Sequence, residues 1–263
     1  DMARTYHQLG MVAQQQERLE EAEDWYRQSL TIKEELGNRP DMARTYHQLG
    51  MVAQEQERLE EAEDWYRQSL TIKEELGDRP GMARTYHQLG MVAQEQERLE
   101  EAEDWYRQSL TIEEELGDRS GMARTYHQLG MVAQEQERLE EAEDWYRQSL
   151  TIEEELGNRS GILDSYGQLG VLRTEQQRPA DGVPYTLRAL AIAQEIGRPS
   201  GTSLFWLGRQ RTFLGDAAFR SILDDLLSVE EALSIMNATQ PQDESASDNE
   251  STSPSNPTNT DQV

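Results

Sequence analysis

The sequence predicts an all-α protein, a right-handed α-solenoid of antiparallel helix pairs that ends in C-terminal capping helices. Three observations predict it. The chain repeats itself every 40 residues. Apolar residues within each repeat recur at steps of three and four, which is the period of an α-helix. Only 35% of the residues are apolar and the mean hydropathy is -0.87, which is typical of a solenoid whose units bury one face against their neighbours.

The repeat shows almost no drift over its first four units. The third unit differs from the second only at Gly81, Glu113 and Ser120, and the fourth differs from the third only at Asn158. The fifth unit keeps the phase but has lost much of the pattern. The predicted array therefore consists of units 1–40, 41–80, 81–120, 121–160 and a degenerate unit 161–200.

Each unit is expected to form two helices, one near positions 2–15 of the unit and one near positions 19–36. Gly77 supplies the residue that ends the second helix, and Asp78 caps the next first helix with Pro80 in its opening turn. The small residues Gly50 and Ala62 are expected where the two helices pack closest. The side chains expected to be buried are those of Leu49, Gly50, Ala62, Tyr66 and Leu70, and those expected to be exposed are Glu60, Glu61, Glu63 and Asp64.

These residues resemble the tetratricopeptide repeat. Its signature of an aromatic residue, Leu-Gly, Ala and a second aromatic matches Tyr46, Leu49-Gly50, Ala62 and Tyr66. The 40-residue length, with EEAEDWYRQSLTI in the second helix, is similar to the repeats of kinesin light chain. The pattern from Arg44 to Gly50 is similar to that of Pins-type cell-polarity scaffolds. The resemblance covers residues 1–200 and implies a protein-binding solenoid without enzymatic activity.

The array is expected to end in two stages. In the fifth unit Gly182 replaces the signature alanine and Thr186 replaces the aromatic residue. Asp181 is a candidate N-cap, which would place Pro184 within the first turn of its helix. Residues 201–240 keep helical periodicity and are predicted to form capping helices, and 241–263 lack aromatic residues and are predicted to be a disordered tail.

Composition excludes several function classes. The net charge is -26, so nucleic acid and anionic membrane surfaces are unlikely partners. No cysteine is present, which excludes disulfides and thiolate chemistry. The sequence contains no phosphate-binding loop, nucleophile elbow or HExxH motif. We expect no cofactor, no metal and a cytoplasmic location.

The four histidines suggest a metal site at first sight. Each, however, occupies the same place in its unit, and neighbouring units are offset by about 10 Å, so the rings cannot converge on one ion. A groove-lining role is favoured. The tryptophans of the second helices suggest either a ligand cage or packing along the seam between units, and packing is favoured.

A binding surface is predicted on the concave face, which the first helices line. In the second unit this arc carries Arg44, His47, Gln48, Met51, Gln54 and Glu55. The resemblance to Pins-type scaffolds implies peptide binding at Gln48, where those proteins have an asparagine. The predicted groove consists of Arg4, His7, Gln8, Met11, Arg44, His47, Gln48, Met51, Arg84, His87, Gln88, Met91, Arg124, His127, Gln128 and Met131.

The predicted partner is a protein segment, extended or helical, with acidic or mixed charge that matches the arginines. Below pH about 6.5 the histidines are expected to gain charge and strengthen binding. The acidity of the chain favours the alternative of a basic partner on the convex side. Two further alternatives are a C-terminal sensor or oligomerisation arm of a larger signalling protein, since the chain begins in phase with the repeat, and a self-associating structural solenoid that uses Tyr6, Leu9 and Ala13.

Overall fold

The structure, a computed structural model, describes residues 2–240. Helices account for 86% of these residues, and within them there is no strand, so the all-α prediction is confirmed. The first ten helices form five antiparallel pairs. Their bounds are α1 Met2–Gln15, α2 Leu19–Glu35, α3 Arg39–Glu55, α4 Leu59–Leu76, α5 Arg79–Glu95, α6 Leu99–Leu116, α7 Arg119–Glu135, α8 Leu139–Leu156, α9 Arg159–Glu175 and α10 Pro179–Glu195. Three further helices follow, α11 Gly201–Leu214, α12 Asp216–Leu226 and α13 Val229–Ala238.

The connection between successive pairs follows the predicted capping chemistry. Gly77 ends α4 in the left-handed conformation, with φ of 66°, which a glycine adopts without steric cost. The Asp78 side chain then accepts a hydrogen bond from the backbone N–H of Gly81 at 3.0 Å, which satisfies one of the free donors at the start of α5. The predicted cap at Asp78 is confirmed, and the helix starts at Arg79 with Pro80 in its opening turn, as predicted.

The core of each of the first four pairs is a glycine against a tyrosine ring. Leu49, Gly50, Ala62, Tyr66 and Leu70 are all buried, as predicted. A Cβ atom added to Gly50 would lie 2.7 Å from the Tyr66 ring. The close approach of the two helices is therefore between Gly50 and Tyr66. Ser69 is also buried and donates a hydrogen bond to the carbonyl of Ala43 at 2.7 Å, which ties α4 to α3.

The acidic residues of the second helix are only partly exposed. Glu60 and Asp64 are exposed as predicted, but Glu61 and Glu63 are half-buried. The prediction was wrong for these two because they form ion pairs across the unit boundary. Glu61 pairs with Arg27 of the preceding unit at 2.9 Å, and Glu63 accepts from Arg98 of the following unit at 2.5 Å.

The tryptophans pack along this same seam. The Trp65 ring stacks on Tyr46 with centroids 5.7 Å apart, and the Arg27 guanidinium lies 5.2 Å from its centroid. Its Nε1 atom donates to Glu61 at 3.1 Å. The indole is also partly buried against two neighbouring core clusters, which supports packing along the seam over a ligand cage.

The fifth pair departs from the prediction at the start of its second helix. Arg178 is the N-cap of α10, and Pro179 is its first residue. Asp181 is therefore not the cap, and Pro184 lies inside the helix. The helix α10 begins at Pro179, before Asp181, because the fixed φ of proline suits the first helical position. The cost is that the missing N–H of Pro184 removes one intrahelical hydrogen bond.

The last three helices form a separate small core against α10. Phe219 and Leu223 of α12 are fully buried and pack with Leu207 of α11 and Val183 of α10. Ser228 begins α13 with a capping box to Glu231. This packing agrees with an end-capping role, although Phe205 and Phe213 remain exposed. The predicted disordered tail lies outside the described residues.

Candidate interaction groove

The predicted groove surface corresponds to a single stripe of each first helix. In α3 this stripe is Arg44, Gln48, Met51 and Glu55, at spacings of four, three and four residues, which place all four on one side of the helix. The stripe spans about 16 Å along the helix axis at 1.5 Å per residue. Because neighbouring first helices run in the same direction, each residue type forms a ladder across the array.

The arginine ladder lies at the exposed end of the stripe. Arg4, Arg44, Arg84 and Arg124 are all exposed. Arg44 pairs with Asp41 at 3.2 Å. In the third and fourth units glycines Gly81 and Gly121 occupy the position of Asp41, and Arg84 and Arg124 form no ion pair within residues 2–240. The sequence therefore makes two of these guanidinium groups available to an outside carboxylate.

The histidines are packed rather than free in the groove. Each ring lies 5.2–5.4 Å from the tyrosine of its own second helix. The Nδ1 atom of His47 is also 3.4 Å from the Thr85 hydroxyl of the next unit. All four imidazoles are half-buried. They are His7, His47, His87 and His127.

This packing overturns the expected protonation of the groove. Burial, followed by the charge of the neighbouring Lys73, lowers the pKa of His47 to about 3. Burial and the charge of Arg124 lower the pKa of His87 to about 4. Burial and Lys33 lower that of His7 to about 4, and burial lowers the pKa of His127. The expected gain of charge by His7, His47 and His87 just below pH 6.5 was therefore wrong, and histidine charge gives no support to tighter binding there.

The glutamines and methionines line hollows between adjacent first helices. Met91 and Met131 border a hollow of about 300 Å³ together with Gln128. Met131 also borders the next hollow, of about 660 Å³, which reaches Tyr146 and Gln168. The shared wall makes the two hollows a continuous groove. The predicted Met and Gln residues of these units therefore do meet at one surface.

Four glutamates at the far end of the stripe were not among the predicted groove residues. Each is exposed, and the last three border the hollows just described. They are the last residues of α3, α5, α7 and α9, and we call them the glutamate edge. The sequence carried part of this signal, since Glu55 lies on the arc predicted for the second unit and the second, third and fourth units have a glutamate four positions after the groove methionine, whereas Glu175 follows Val171. The glutamate edge consists of Glu55, Glu95, Glu135 and Glu175.

A third hollow lies where the fifth unit meets the cap. Gly167 stands where the earlier units have histidine, and nothing lies within 4 Å of its missing Cβ. The resulting space of about 360 Å³ is bordered by Leu163, Ala193 and Trp206, with Asp164 and Arg198 among its polar lining. The groove thus ends in a recess lined by both apolar and polar side chains.

The charge buried beneath the arginine ladder changes sign along the array. Lys73 donates to Thr85 at 2.6 Å, but the third and fourth units have Glu113 and Glu153 at this position, both nearly fully buried. One carboxylate oxygen of each has no partner among the described residues. Burial raises the pKa of both carboxyl groups.

Within 2–240 no group of three or more His, Asp or Glu side chains is placed to hold a metal ion. None of the helices in that range is long and apolar enough to cross a membrane.

Comparison with known proteins identifies the family. The sequence model of the tetratricopeptide repeat matches residues 1–75 and 81–155, which is more than half of the chain. The chain belongs to the tetratricopeptide repeat family. None of the curated protein sequences gives a significant match.

Solved structures share the fold at low sequence identity. BtubC (BKLC) from P. vanneervenii is 21% identical, with a TM-score of 0.67 over 93% of this chain and 99% of that one. The apo form of RapI is 17% identical, with a TM-score of 0.71 over 90% and 81% of the two chains. A kinesin-light-chain-related protein of Podosopora anserina with nearly identical TPR-like repeats is 19% identical, with a TM-score of 0.63 over 74% and 97%. At these identities the likeness extends to the fold alone.

Proposed function

We propose that this tetratricopeptide repeat protein is a non-enzymatic interaction scaffold that binds an extended peptide or a helix of a partner protein along its concave groove. The observation that carries the proposal is the continuous run of hollows between the first helices, lined by methionine and glutamine. Methionine adapts to varied apolar side chains, and the glutamine amide both donates and accepts hydrogen bonds, as a peptide backbone requires. Residues 1–200 form the array in this proposal, and 201–240 close it.

The charge of the partner segment follows from the unpaired groups of the groove. Arg84 and Arg124 suit carboxylates, which an arginine binds through two parallel hydrogen bonds. An acidic or mixed-charge segment is therefore expected. A structural neighbour with the same fold has been solved with a bound partner: the Rap protein in complex with Competence and Sporulation Factor, 15% identical with a TM-score of 0.67 over 90% of this chain and 66% of that one.

The test is a selection of peptides from a displayed random library on the whole chain. The selected peptides are then measured against a groove variant, Arg44→Glu with Arg84→Glu and Arg124→Glu. We expect at least a hundredfold loss of affinity with unchanged helicity, because exposed residues contribute little to folding.

A matched convex variant is the control. Asp64→Lys with Asp104→Lys and Asp144→Lys also shifts the charge by six and changes only exposed side chains. Glu61, by contrast, is a poor control because it holds the Trp65 indole and two arginines. Loss of binding in the convex variant but not in the groove variant would place the partner on the outer surface and refute the proposal.

A self-associating solenoid remains a second candidate because of the outer face of α1. Leu9 and Val12 are exposed there, whereas their counterparts Leu49 and Val52 are buried under the preceding helix. A further helix of similar shape, such as one from a second copy, would cover them. Light scattering at several concentrations tests this: a mass that rises with concentration in the parent chain but not in Val12→Glu favours it, and a constant monomer mass refutes it.

A further inference from the structure

The glutamate edge collects exposed carboxylates along one side of the predicted groove, next to its apolar lining. Glu61 and Glu63 lie within networks of arginines. The four glutamates of the edge form no ion pair with any of the described residues. Each instead accepts one hydrogen bond from the glutamine of the preceding unit. The donor–acceptor distances are Gln14 to Glu55 2.7 Å, Gln54 to Glu95 2.7 Å, Gln94 to Glu135 2.6 Å and Gln134 to Glu175 2.7 Å.

Local electrostatics disfavours these carboxylates where they stand. Each is the last residue of a first helix, where the partial negative charge of the helix dipole repels an anion. The first helices run parallel, so four carboxylates and four helix C-termini are collected along one side of the groove. A cation supplied from outside would relieve both sources of repulsion at once.

The negative charge of the glutamate edge also acts on the tyrosine hydroxyls of the second helices. Burial raises the pKa of the Tyr106 hydroxyl, and the charges of Glu95 and Glu135 on either side raise it further. Tyr146 is raised in the same way by burial and by Glu175 and Glu135. Two neighbouring glutamates of the edge therefore both raise the pKa of the tyrosine hydroxyl that lies between them. One of these tyrosines, Tyr146, borders the larger hollow.

The apolar lining lies beside these charges. Glu95 and Glu135 border the same hollow as Met91 and Met131, and Glu135 and Glu175 border the next. An aliphatic stem with a charged tip matches this arrangement, since lysine and arginine cover apolar surface with their methylene groups and keep the charge at the end. Carboxylates at an apolar wall are thus suited to basic side chains.

We propose that the glutamate edge is the subsite for lysine and arginine side chains of the partner segment. This rests on the proposed groove function and extends it. Adjacent first helices of the array are about 10 Å apart, and in a segment of polyproline II conformation every third side chain points to the same side, about 9 Å further along. The partner therefore carries a basic residue at every third position. Its acidic residues lie on the opposite side toward Arg84 and Arg124, which fixes the direction in which the segment lies.

The test uses two labelled synthetic peptides of equal length, five repeats of Lys-Ser-Leu and five repeats of Glu-Ser-Leu. Fluorescence anisotropy gives their affinities for the parent chain and for Glu95→Gln with Glu135→Gln and Glu175→Gln. The control is Asp64→Asn with Asp104→Asn and Asp144→Asn, which removes the same charge from the convex face. We expect the lysine peptide to bind at least tenfold more tightly than the glutamate peptide. The edge variant should weaken lysine-peptide binding at least tenfold and the control less than twofold.

Each other outcome has a definite meaning. Equal weakening by the edge variant and the control shows general attraction to an acidic protein and overturns the inference, as does failure of the lysine peptide to bind. If the glutamate peptide binds instead and is released by Arg84→Gln with Arg124→Gln, the inference fails while the groove function stands. If library-selected peptides are also insensitive to all groove variants, the proposed function fails with it.

Discussion

The first four helix pairs and the fifth have the same arrangement of two antiparallel helices, but different side chains hold the two helices together. In the third pair Gly90 meets the ring of Tyr106, which would lie 2.6 Å from an added Cβ atom. In the fifth pair the equivalent Gly170 faces Thr186 instead. There Gln210 of α11 donates to the carbonyl of Gly170 at 3.2 Å and to the Thr186 hydroxyl at 2.9 Å. An apolar contact within the pair has become a polar contact with the cap.

The difference explains why the fifth unit lost the repeat signature. A Cβ atom on Gly182 would lie 2.8 Å from the Gln210 amide nitrogen and 2.8 Å from the carbonyl oxygen of Gly170. The alanine of the earlier units therefore does not fit beside the cap. Units that contact only copies of themselves can share one sequence, whereas the last unit must match a different neighbour.

The largest loss in the free energy of unfolding is expected from Gly90→Leu in the third helix pair. The side chain cannot enter the space of the Tyr106 ring, and overpacking of this kind costs about 3 kcal/mol. Gly167→Ala in the fifth unit is the matched control, because this helical glycine has open space around it and should gain up to about 1 kcal/mol of helix propensity. Urea unfolding measures both. Equal destabilisation by the two changes would show that the glycine–tyrosine contact is not what holds the repeated pairs together.

Acid should weaken the repeated units more than the fifth. The histidine pKa values lie near 3 to 4 in the folded chain and near 6.5 when unfolded. A lowered histidine pKa means that the unfolded chain takes up protons first, so stability is complete above pH 6.5 and is lost as pH falls toward 4. We expect a loss of about 2 kcal/mol between pH 7 and 5 after allowance for partial exposure.

The unfolding midpoint against pH tests the histidine contribution. His47→Gln with His87→Gln should flatten the slope between pH 6.5 and 4. The fifth unit has Gly167 in place of histidine, so its local stability should change less over this range. A slope that the double variant leaves unchanged would assign the acid sensitivity to the carboxylates.

A smaller loss of stability, confined to the fifth helix pair, is expected from Gln210→Ala. The change removes the three hydrogen bonds that α11 makes to Gly170, Thr174 and Thr186, at a cost of about 1 kcal/mol. Hydrogen exchange should speed up over residues 180–196 and leave the first four pairs unchanged. In the parent chain this stretch, with Gly182 and Pro184, is already expected to be the weak joint. If it were the best-protected stretch of the parent chain, the comparison between the two regions would fail.

Patterns among residues close in sequence were sufficient to predict the helices, their ends and their pairing. The period, the helix bounds, the cap at Asp78 and the burial of Tyr66 all follow from spacing and turn chemistry, which act between residues near in sequence. Contacts between units were harder. The bond from Gln54 to Glu95 joins residues 41 positions apart, and the role of Gln210 depends on how the cap docks, which no repeat predicts.

The predicted groove shows the same division. The arc that carries Arg44, Gln48 and Met51 follows from helical periodicity. The neutral state of His47 does not, because it depends on burial against Tyr66 and on the charge of Lys73 brought near by folding. Glu55 of the glutamate edge was on the predicted arc. That no arginine or lysine side chain within residues 2–240 pairs with these glutamates could not be predicted, because only the folded arrangement shows which carboxylates the arginines reach.

The methionines offer the most direct test of binding in the groove. The chain has nine methionines, of which Met51, Met91 and Met131 are half-buried at the groove, while Met42, Met82 and Met122 pack within the array. Methyl NMR of methionine-labelled protein, titrated with a library-selected peptide, separates the two sets. We expect the Met51, Met91 and Met131 methyl signals to shift in proportion to saturation while those of Met42, Met82 and Met122 stay in place. Unmoved groove methyls at full saturation would contradict it.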